Sequence, residues 1–298
     1  MTILIKKIFN SEKLWLLIFI VSTIVTFIYN NLHYNLSRAP DFQYYVDYIS
    51  YFYGNMESTT REQGLIYFFL VSLVIKLTKF DFGATGYELI LSNGVLVTNY
   101  LLYLIGLMGL FQLLKLKKFN NSNIFFTFAV MCFFPQTNNL LLTMKPEIIA
   151  FSFLPWSLLL ITKFLDEDKI KYLYLALFPN IILLSTKATI IGAIGLIYLY
   201  ILINNWEKFN KIGFIKFFVI SIFLLSAISY ENLLANGKLI FEHTNTKQSY
   251  QDVADISILY NVNFRELITN PFRHLHADSL IGIIALDTFG DYFQNYAL

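Results

Sequence analysis

Four charged side chains of this sequence lie beside long apolar runs, where a charge is costly and usually functional. Asp41 opens an aromatic stretch, and Glu62 precedes an apolar run. Lys145 and Glu147 lie between two further apolar runs. A carboxylate can accept a proton from a hydroxyl group, and a cation can stabilise charge on a phosphate. Acidic residues among aromatics at a membrane boundary therefore indicate a site for a sugar or a lipid phosphate.

Each of these residues also has a simpler interpretation, which the sequence leaves open. Asp41 and Glu62 each stand where a carboxylate would complement the dipole of a helix N-terminus. A proline followed by an acid, as at Pro146 and Glu147, is common in the first turn of a helix.

Two histidines near the C-terminus form a candidate metal pair. In the stretch from Arg273 to Asp278, His274 and His276 alternate, so they share one face if this stretch is extended. Neutral imidazoles bind divalent metals, and Arg273 could bind a phosphate. The alternative is a polar loop with two solvated histidines.

The composition is that of a membrane protein. Of 298 residues, 56% are apolar and only 14% are charged, against about 25% charged in soluble domains. The mean hydropathy is +0.57. These values exclude a soluble enzyme and a disordered chain, and the single cysteine, Cys132, excludes a disulfide scaffold. No basic stripe indicates a nucleic-acid partner.

The apolar runs predict an all-α, polytopic membrane helix bundle. Seven runs are candidate spans: Leu14–Tyr29, Leu89–Leu114, Ile124–Leu142, Ile148–Ile161, Tyr172–Leu184, Ala188–Ile203 and Phe214–Tyr230. An eighth run, Gly64–Ile75, is short for a span, and its length suits a re-entrant or interfacial segment. Pro135 and Pro179 predict helices that kink or open toward a cavity.

The distribution of lysine and arginine decides between seven and eight spans. If Gly64–Ile75 does not cross, the lysine clusters of the short loops all lie on one side, with a cytoplasmic N-terminus. The chain then divides into a bundle over residues 1–230, which includes an external loop over residues 30–88, and an external segment over residues 231–298. The polar end at Ala297 and Leu298, without a closing span, is what a fragment of a longer protein would show.

A short helix is predicted in the external loop. Pro40 and Gly54 bracket a stretch whose aromatic residues share one helical face. This pattern is typical of an interfacial helix. Asp47 and Ser50 fall on the opposite face, where we expect contact with water.

The layout resembles that of the GT-C glycosyltransferases, in particular the branch of the lipid A aminoarabinose transferases and the protein O-mannosyltransferases. Asp41 in RAPDFQYYVDY matches the catalytic acid that follows the first span in that family. Glu62 in TTREQGLIYFF matches the acid of the second motif, and Glu147 matches the acid between the third and fourth spans. The resemblance covers roughly residues 10–205, with Gln63 and Gly64 in place of the usual Lys-Pro.

The resemblance implies an enzyme that moves a sugar from a polyprenyl-phosphate donor to a hydroxyl of a lipid, glycan or protein acceptor. Asp41, Glu62 and Glu147 would be catalytic, with Asp41 as base or metal ligand. The candidate substrate-binding residues are Lys145, Arg61, Arg273 and Tyr44. A divalent metal (Mg, Mn or Zn) is the expected cofactor, for which His274 and His276 are candidate ligands. The enzyme would lie in a cell membrane, such as a bacterial inner membrane, with its active site external.

Two other functions fit part of the sequence. A transporter or lipid flippase could use polar residues inside the spans, namely Asn93, Asn99, Gln112, Gln136 and Asn180. Transporters, however, usually contain paired repeats and broken helices near mid-membrane, and no repeat is found here. A non-catalytic partner in surface-polysaccharide synthesis would leave Asp41, Glu62 and Glu147 dispensable.

Overall fold

The computed structural model of the protein describes residues 11–33, 42–52, 65–77 and 86–186, together with separate helical positions between 195 and 226. In chain order the helices are α1 (Glu12–His33), α2 (Phe42–Tyr51), α3 (Leu65–Lys76), α4 (Tyr87–Leu116), α5 (Asn121–Met131), α6 (Pro135–Leu142), α7 (Glu147–Glu167) and α8 (Ile170–Thr186). Throughout this part of the chain the regular elements are α-helices, which confirms the predicted all-α class.

Three helices, α1, α4 and α7, are long and apolar enough to cross a membrane. They correspond to the first, second and fourth predicted spans. The fifth predicted span is the 17-residue helix α8, which is shorter and also apolar. Most residues of the sixth and seventh predicted spans lie outside the described part of the chain.

The third predicted span is not one continuous helix, because it breaks between α5 and α6. Pro135 has no N–H, and in a continuous helix its ring would clash with the Met131 carbonyl. Phe134, the residue before the proline, is extended with ψ 132°, and Pro135 is the first residue of α6. An apolar groove of about 510 Å³ opens beside this break, between Phe134 and Phe151. The chain therefore opens at Pro135 toward a cavity, as predicted, whereas Pro179 lies inside the continuous helix α8.

Helices α1 and α5 run in the same direction. At their first turns, Asn121 Nδ2 donates a hydrogen bond of 2.8 Å to Glu12 Oε1. Further along both helices, the Thr23 hydroxyl lies 3.5 Å from the sulfur of Cys132. Helix α4 runs in the opposite direction, since Asn30, near the end of α1, donates 2.9 Å to the Tyr100 hydroxyl in the first half of α4.

The bundle therefore has two ends, which are named here by their residues. The lysine-rich end contains the start of α1, the turn from α4 to α5 and the turn from α7 to α8, and its lysines are Lys13, Lys115, Lys117, Lys118, Lys163, Lys169 and Lys171. The Glu147 end contains the end of α1 and the start of α7. Helix α4 begins at the Glu147 end, where α1 ends, so the part of the chain that contains α2 and α3 starts and finishes at this end.

Helices α4 and α7 run parallel and are joined by side chains of α7 that reach carbonyls of α4. The Ser152 hydroxyl lies 2.8 Å from the Leu102 carbonyl oxygen, and Trp156 Nε1 donates 2.9 Å to the Ile105 carbonyl oxygen. Gly106 allows this close approach. A Cβ at that position would lie 2.7 Å from the Phe151 carbonyl oxygen, a backbone atom that cannot easily move away.

Helices α2 and α3 pack on one another through aromatic rings. The ring of Tyr48 stacks on that of Phe68, with centroids 4.6 Å apart, and the Tyr45 ring lies 5.3 Å from the same phenylalanine. Helix α2 confirms the predicted short helix, but the expected water-facing side is wrong. Ser50 is buried and Asp47 is half-buried, because α2 packs into the protein on more than one face.

Candidate functional site

The candidate site lies at the Glu147 end, where a turn over residues 143–146 connects α6 to α7. Thr143 and Met144 are buried in this turn, whereas Lys145 and Glu147 are partly exposed. Glu147 is the first residue of α7, where its carboxylate faces the positive end of the helix dipole. Its Oε2 atom is buried. A lysine and a glutamate thus flank one proline at the edge of an apolar bundle.

Asn99 of α4 holds this turn in place. Its side chain is fully buried, and its Nδ2 donates hydrogen bonds of 2.9 Å to the carbonyl oxygens of both Leu141 and Thr143. These carbonyls lie at the end of α6, where the last carbonyls of a helix have no partner within the helix. Asn99 supplies that partner. Its two hydrogen bonds hold the turn before Glu147 at the position of Asn99 along α4.

Tyr67 of α3 completes the network. Its hydroxyl donates a hydrogen bond of 2.8 Å to Asn99 Oδ1, so both donors and the acceptor of the asparagine amide are used. The ring of Phe68, the next residue, lies 5.3 Å from the Tyr45 ring of α2, and the Glu147 carboxylate acts electrostatically on the Tyr67 hydroxyl. We call Tyr45, Tyr67, Asn99, Thr143 and Glu147 the Asn99 cluster.

The Asn99 cluster joins three parts of the chain that are far apart in sequence. Tyr45 comes from α2 and Tyr67 from the first turn of α3, while Asn99 belongs to α4. Thr143 and Glu147 come from the turn before α7. The start of α3 is therefore attached, through Asn99, to the turn that precedes Glu147.

Of the site residues predicted from the sequence, Lys145 and Glu147 are described, and they lie two residues apart in this turn. Tyr44 belongs to α2, but its side chain is not described. The other predicted site residues lie outside the described residues: Asp41, Arg61, Glu62, Arg273, His274 and His276.

A metal site is not found in the described part of the chain. Among residues 11–33, 42–52, 65–77, 86–186 and the separate positions beyond, no group of three or more His, Cys, Asp or Glu side chains could hold an ion. The predicted pair His274 and His276 falls outside this part. Cys132 is buried and free in the middle of the bundle.

Sequence reasoning missed Tyr67 and interpreted Asn99 differently. Tyr67 is one aromatic among many in an apolar run, so nothing in the sequence distinguishes it. The sequence showed Asn99 as a polar residue within a span, but it did not show which groups Asn99 would bind. Asn180, another polar residue within a predicted span, accepts 2.6 Å from the Ser157 hydroxyl. Both asparagines therefore serve contacts between helices.

Comparisons of this chain with protein-family models, with curated proteins and with solved structures find no match. The chemistry of the site therefore has to be judged from its own residues. A carboxylate can orient or deprotonate a hydroxyl group, and an ammonium can neutralise a phosphate. Lys145 and Glu147 provide one of each.

Proposed function

We propose that this chain is an integral-membrane glycosyltransferase that moves a sugar from a polyprenyl-phosphate donor to a hydroxyl acceptor at the Glu147 end. The observation that carries this proposal is the Asn99 cluster. Its members Tyr45 and Tyr67 follow Asp41 and Glu62 by four and five residues along the chain. The cluster thus joins the two helices that follow the predicted acids to the turn that carries the third.

The distribution of lysines supports an external position for this site. Cytoplasmic loops of membrane proteins are enriched in Lys and Arg. In the described part of the chain, the lysine-rich end has seven lysines, and the remaining two, Lys76 and Lys145, lie on helix α3 and in the turn before α7. The Glu147 end would accordingly face the outside.

The length of α3 supports the seven-span topology. Twelve residues of helix extend about 18 Å, well short of the roughly 30 Å of a hydrocarbon core. Helices α1 and α4 are antiparallel, so the chain between them begins and ends on one side. A segment of this length that returns to the same side suits an interfacial or re-entrant helix, as predicted for Gly64–Ile75.

The proposed mechanism assigns one task to each charged residue. The acceptor hydroxyl attacks the anomeric carbon while the lipid phosphate leaves with the electrons of the glycosidic bond. Asp41 accepts the hydroxyl proton, and Glu62 and Glu147 orient the substrates. If a divalent metal is bound, Asp41 would be a ligand and the metal would stabilise charge on the phosphate. Lys145 stabilises the negative charge that grows on the leaving phosphate. Tyr67 and Asn99 act as positioning residues, because they hold the turn that carries Lys145 and Glu147.

The test is a transfer assay in proteoliposomes with a panel of radiolabelled polyprenyl-phosphate hexoses and pentoses. Asp41→Asn should lower transfer by about a hundredfold or more, the range expected for loss of a proton-transferring group. Glu147→Gln should lower it by up to about a hundredfold, the range expected when a substrate is misplaced. Asp47→Asn is the matched control, since it removes a carboxylate six residues after Asp41 and outside the Asn99 cluster, and it should keep wild-type activity.

Two results would overturn the proposal. Full activity in both Asp41→Asn and Glu147→Gln would remove these acids from the reaction. Movement of the lipid-linked sugar across the bilayer by the wild-type protein, without any glycosylated product, would instead indicate a transporter or flippase.

A further inference from the structure

The turn between α4 and α5 carries a concentration of positive charge that forms no ion pair within the part of the chain that the structure describes. Lys115, Lys117 and Lys118 are exposed there, and Lys13 is exposed at the adjoining start of α1. The sequence contains no acidic residue between Glu88 and Glu147. Glu12, which the fold brings to this turn from α1 and which accepts a hydrogen bond from Asn121, supplies a single negative charge against these four lysines.

Helix capping accounts for only part of this charge. The C-terminus of a helix carries the equivalent of about half a negative charge, whereas three lysines follow one another here within four residues. Lys118 also has a left-handed backbone with φ 65°. Glycine adopts this conformation without the steric cost that a side chain brings. A lysine at this position therefore makes the fold less stable than a glycine would.

An aromatic side chain follows the lysines directly. Phe119 lies in the turn, three residues after the last residue of α4, and is 51% exposed. Lysines beside an exposed aromatic ring are typical of protein segments that bind the surface of an anionic membrane, where the ring enters the acyl boundary and the cations meet phosphates.

In the turn between α7 and α8, at the same end of the bundle, the lysines contact an acidic residue or an aromatic ring. Lys169 lies 2.8 Å from Glu167, and the Tyr172 hydroxyl donates to the same carboxylate. The ammonium groups of Lys163 and Lys171 lie over the Tyr172 ring, at 5.7 and 5.1 Å from its centroid. The cations of this turn already have partners within the protein.

We propose that Lys13, Lys115, Lys117 and Lys118 form a binding site for the phosphate headgroup of an anionic membrane lipid, with Phe119 as the apolar anchor. This inference does not depend on the proposed transferase activity. The site lies at the lysine-rich end of the bundle, away from the Asn99 cluster, and would hold a lipid as a bound component of the membrane protein.

The experiment measures lipid retention on the full chain in detergent by native mass spectrometry, with phosphatidylglycerol and phosphatidylcholine as separate probes. The double variant Lys117→Gln and Lys118→Gln should weaken phosphatidylglycerol binding by about fivefold for each lysine, the factor expected beside an anionic surface. Phosphatidylcholine binding should be unchanged. The matched control, Lys169→Gln with Lys171→Gln, removes the same charge from the turn between α7 and α8 and should bind phosphatidylglycerol like the wild type.

Lys118→Gly separates lipid binding from folding. This substitution relieves the left-handed strain, so the thermal stability of the lipid-free protein should stay the same or rise, while phosphatidylglycerol binding falls.

Three results would overturn the proposal. These are equal loss of binding in the Lys117 and Lys169 double variants, equal binding of phosphatidylglycerol and phosphatidylcholine to the wild type, and displacement of the lipid by millimolar inorganic phosphate. The last would indicate a site for a soluble anion.

Discussion

At the Glu147 end, the polar side chains of Tyr67 and Asn99 are buried and hydrogen-bonded to one another. At the lysine-rich end, the ion pair of Lys169 and Glu167 is exposed, with 57% of the lysine side chain accessible. A buried polar group that loses its partner has no water to replace it, whereas an exposed charge is rehydrated at once. Both ends contain polar side chains bonded to one another. Only at the Glu147 end should loss of one partner lower the stability of the fold.

Substitution of Asn99 should have the largest effect on stability. Asn99→Leu leaves the Leu141 and Thr143 carbonyls and the Tyr67 hydroxyl without the partner they have now. At about 1 kcal/mol for each of three lost hydrogen bonds, the free energy of unfolding should fall by about 3 kcal/mol. Thermal unfolding in detergent measures this change.

The control for Asn99 is its neighbour Thr98. Its hydroxyl is buried and, within the described part of the chain, donates only to the Gly94 carbonyl of the same helix, at 2.8 Å. Thr98→Val should therefore lower the free energy of unfolding by well under half the loss expected for Asn99→Leu. A Thr98 variant as unstable as Asn99→Leu would show that burial alone, and not the hydrogen bonds across helices, makes this end sensitive.

Tyr67→Phe should have an intermediate effect. The ring and its contacts remain, but Asn99 Oδ1 loses its donor, which should lower the free energy of unfolding by about 1 to 2 kcal/mol. The loss should be nearly absent when Tyr67→Phe is introduced into Asn99→Leu, because the partner is already gone. Additive losses in the double variant would contradict a direct coupling of these two residues.

Lys169→Gln should have the smallest effect, with no measurable change in the unfolding temperature at neutral pH. The Glu167 carboxylate raises the pKa of Lys169, so any stabilisation by the pair exists below the ordinary lysine pKa and is lost only as the pH rises through the higher folded value. Exposure to solvent keeps this contribution small. A clear drop in the unfolding temperature at pH 7 would contradict the claim that the exposed ion pair contributes little to stability.

The fold class and the positions of several helices could be predicted from the sequence. The apolar runs at residues 14–29, 89–114 and 148–161 became α1, α4 and α7 because burial of apolar side chains and the length of a bilayer act on the local sequence alone. A proline removes a backbone hydrogen bond wherever it occurs. The sequence did not show that Pro135 would separate two helices while Pro155 and Pro179 would lie inside α7 and α8.

The candidate site was predictable only in part. Lys145 and Glu147 were recognisable because a charge near a membrane span is unusual. Tyr67 was not, since nothing in a run of apolar and aromatic residues indicates which tyrosine will meet an asparagine from another helix. The polar face expected for α2 was wrong at Ser50, because helical periodicity does not show how many neighbours a helix has.

The sequence by itself determined that this is a helical membrane protein, where α4 and α7 lie along the chain, and which charges border the apolar runs. These properties follow from hydrophobicity, helix geometry and the effect of proline, which act over a few consecutive residues. Only the tertiary structure decided that Asn99 joins Tyr67 to the carbonyls before Glu147. That contact depends on the packing of three helices from distant parts of the chain. A buried amide can join helices only when packing brings a hydrogen-bond partner to each of its polar groups.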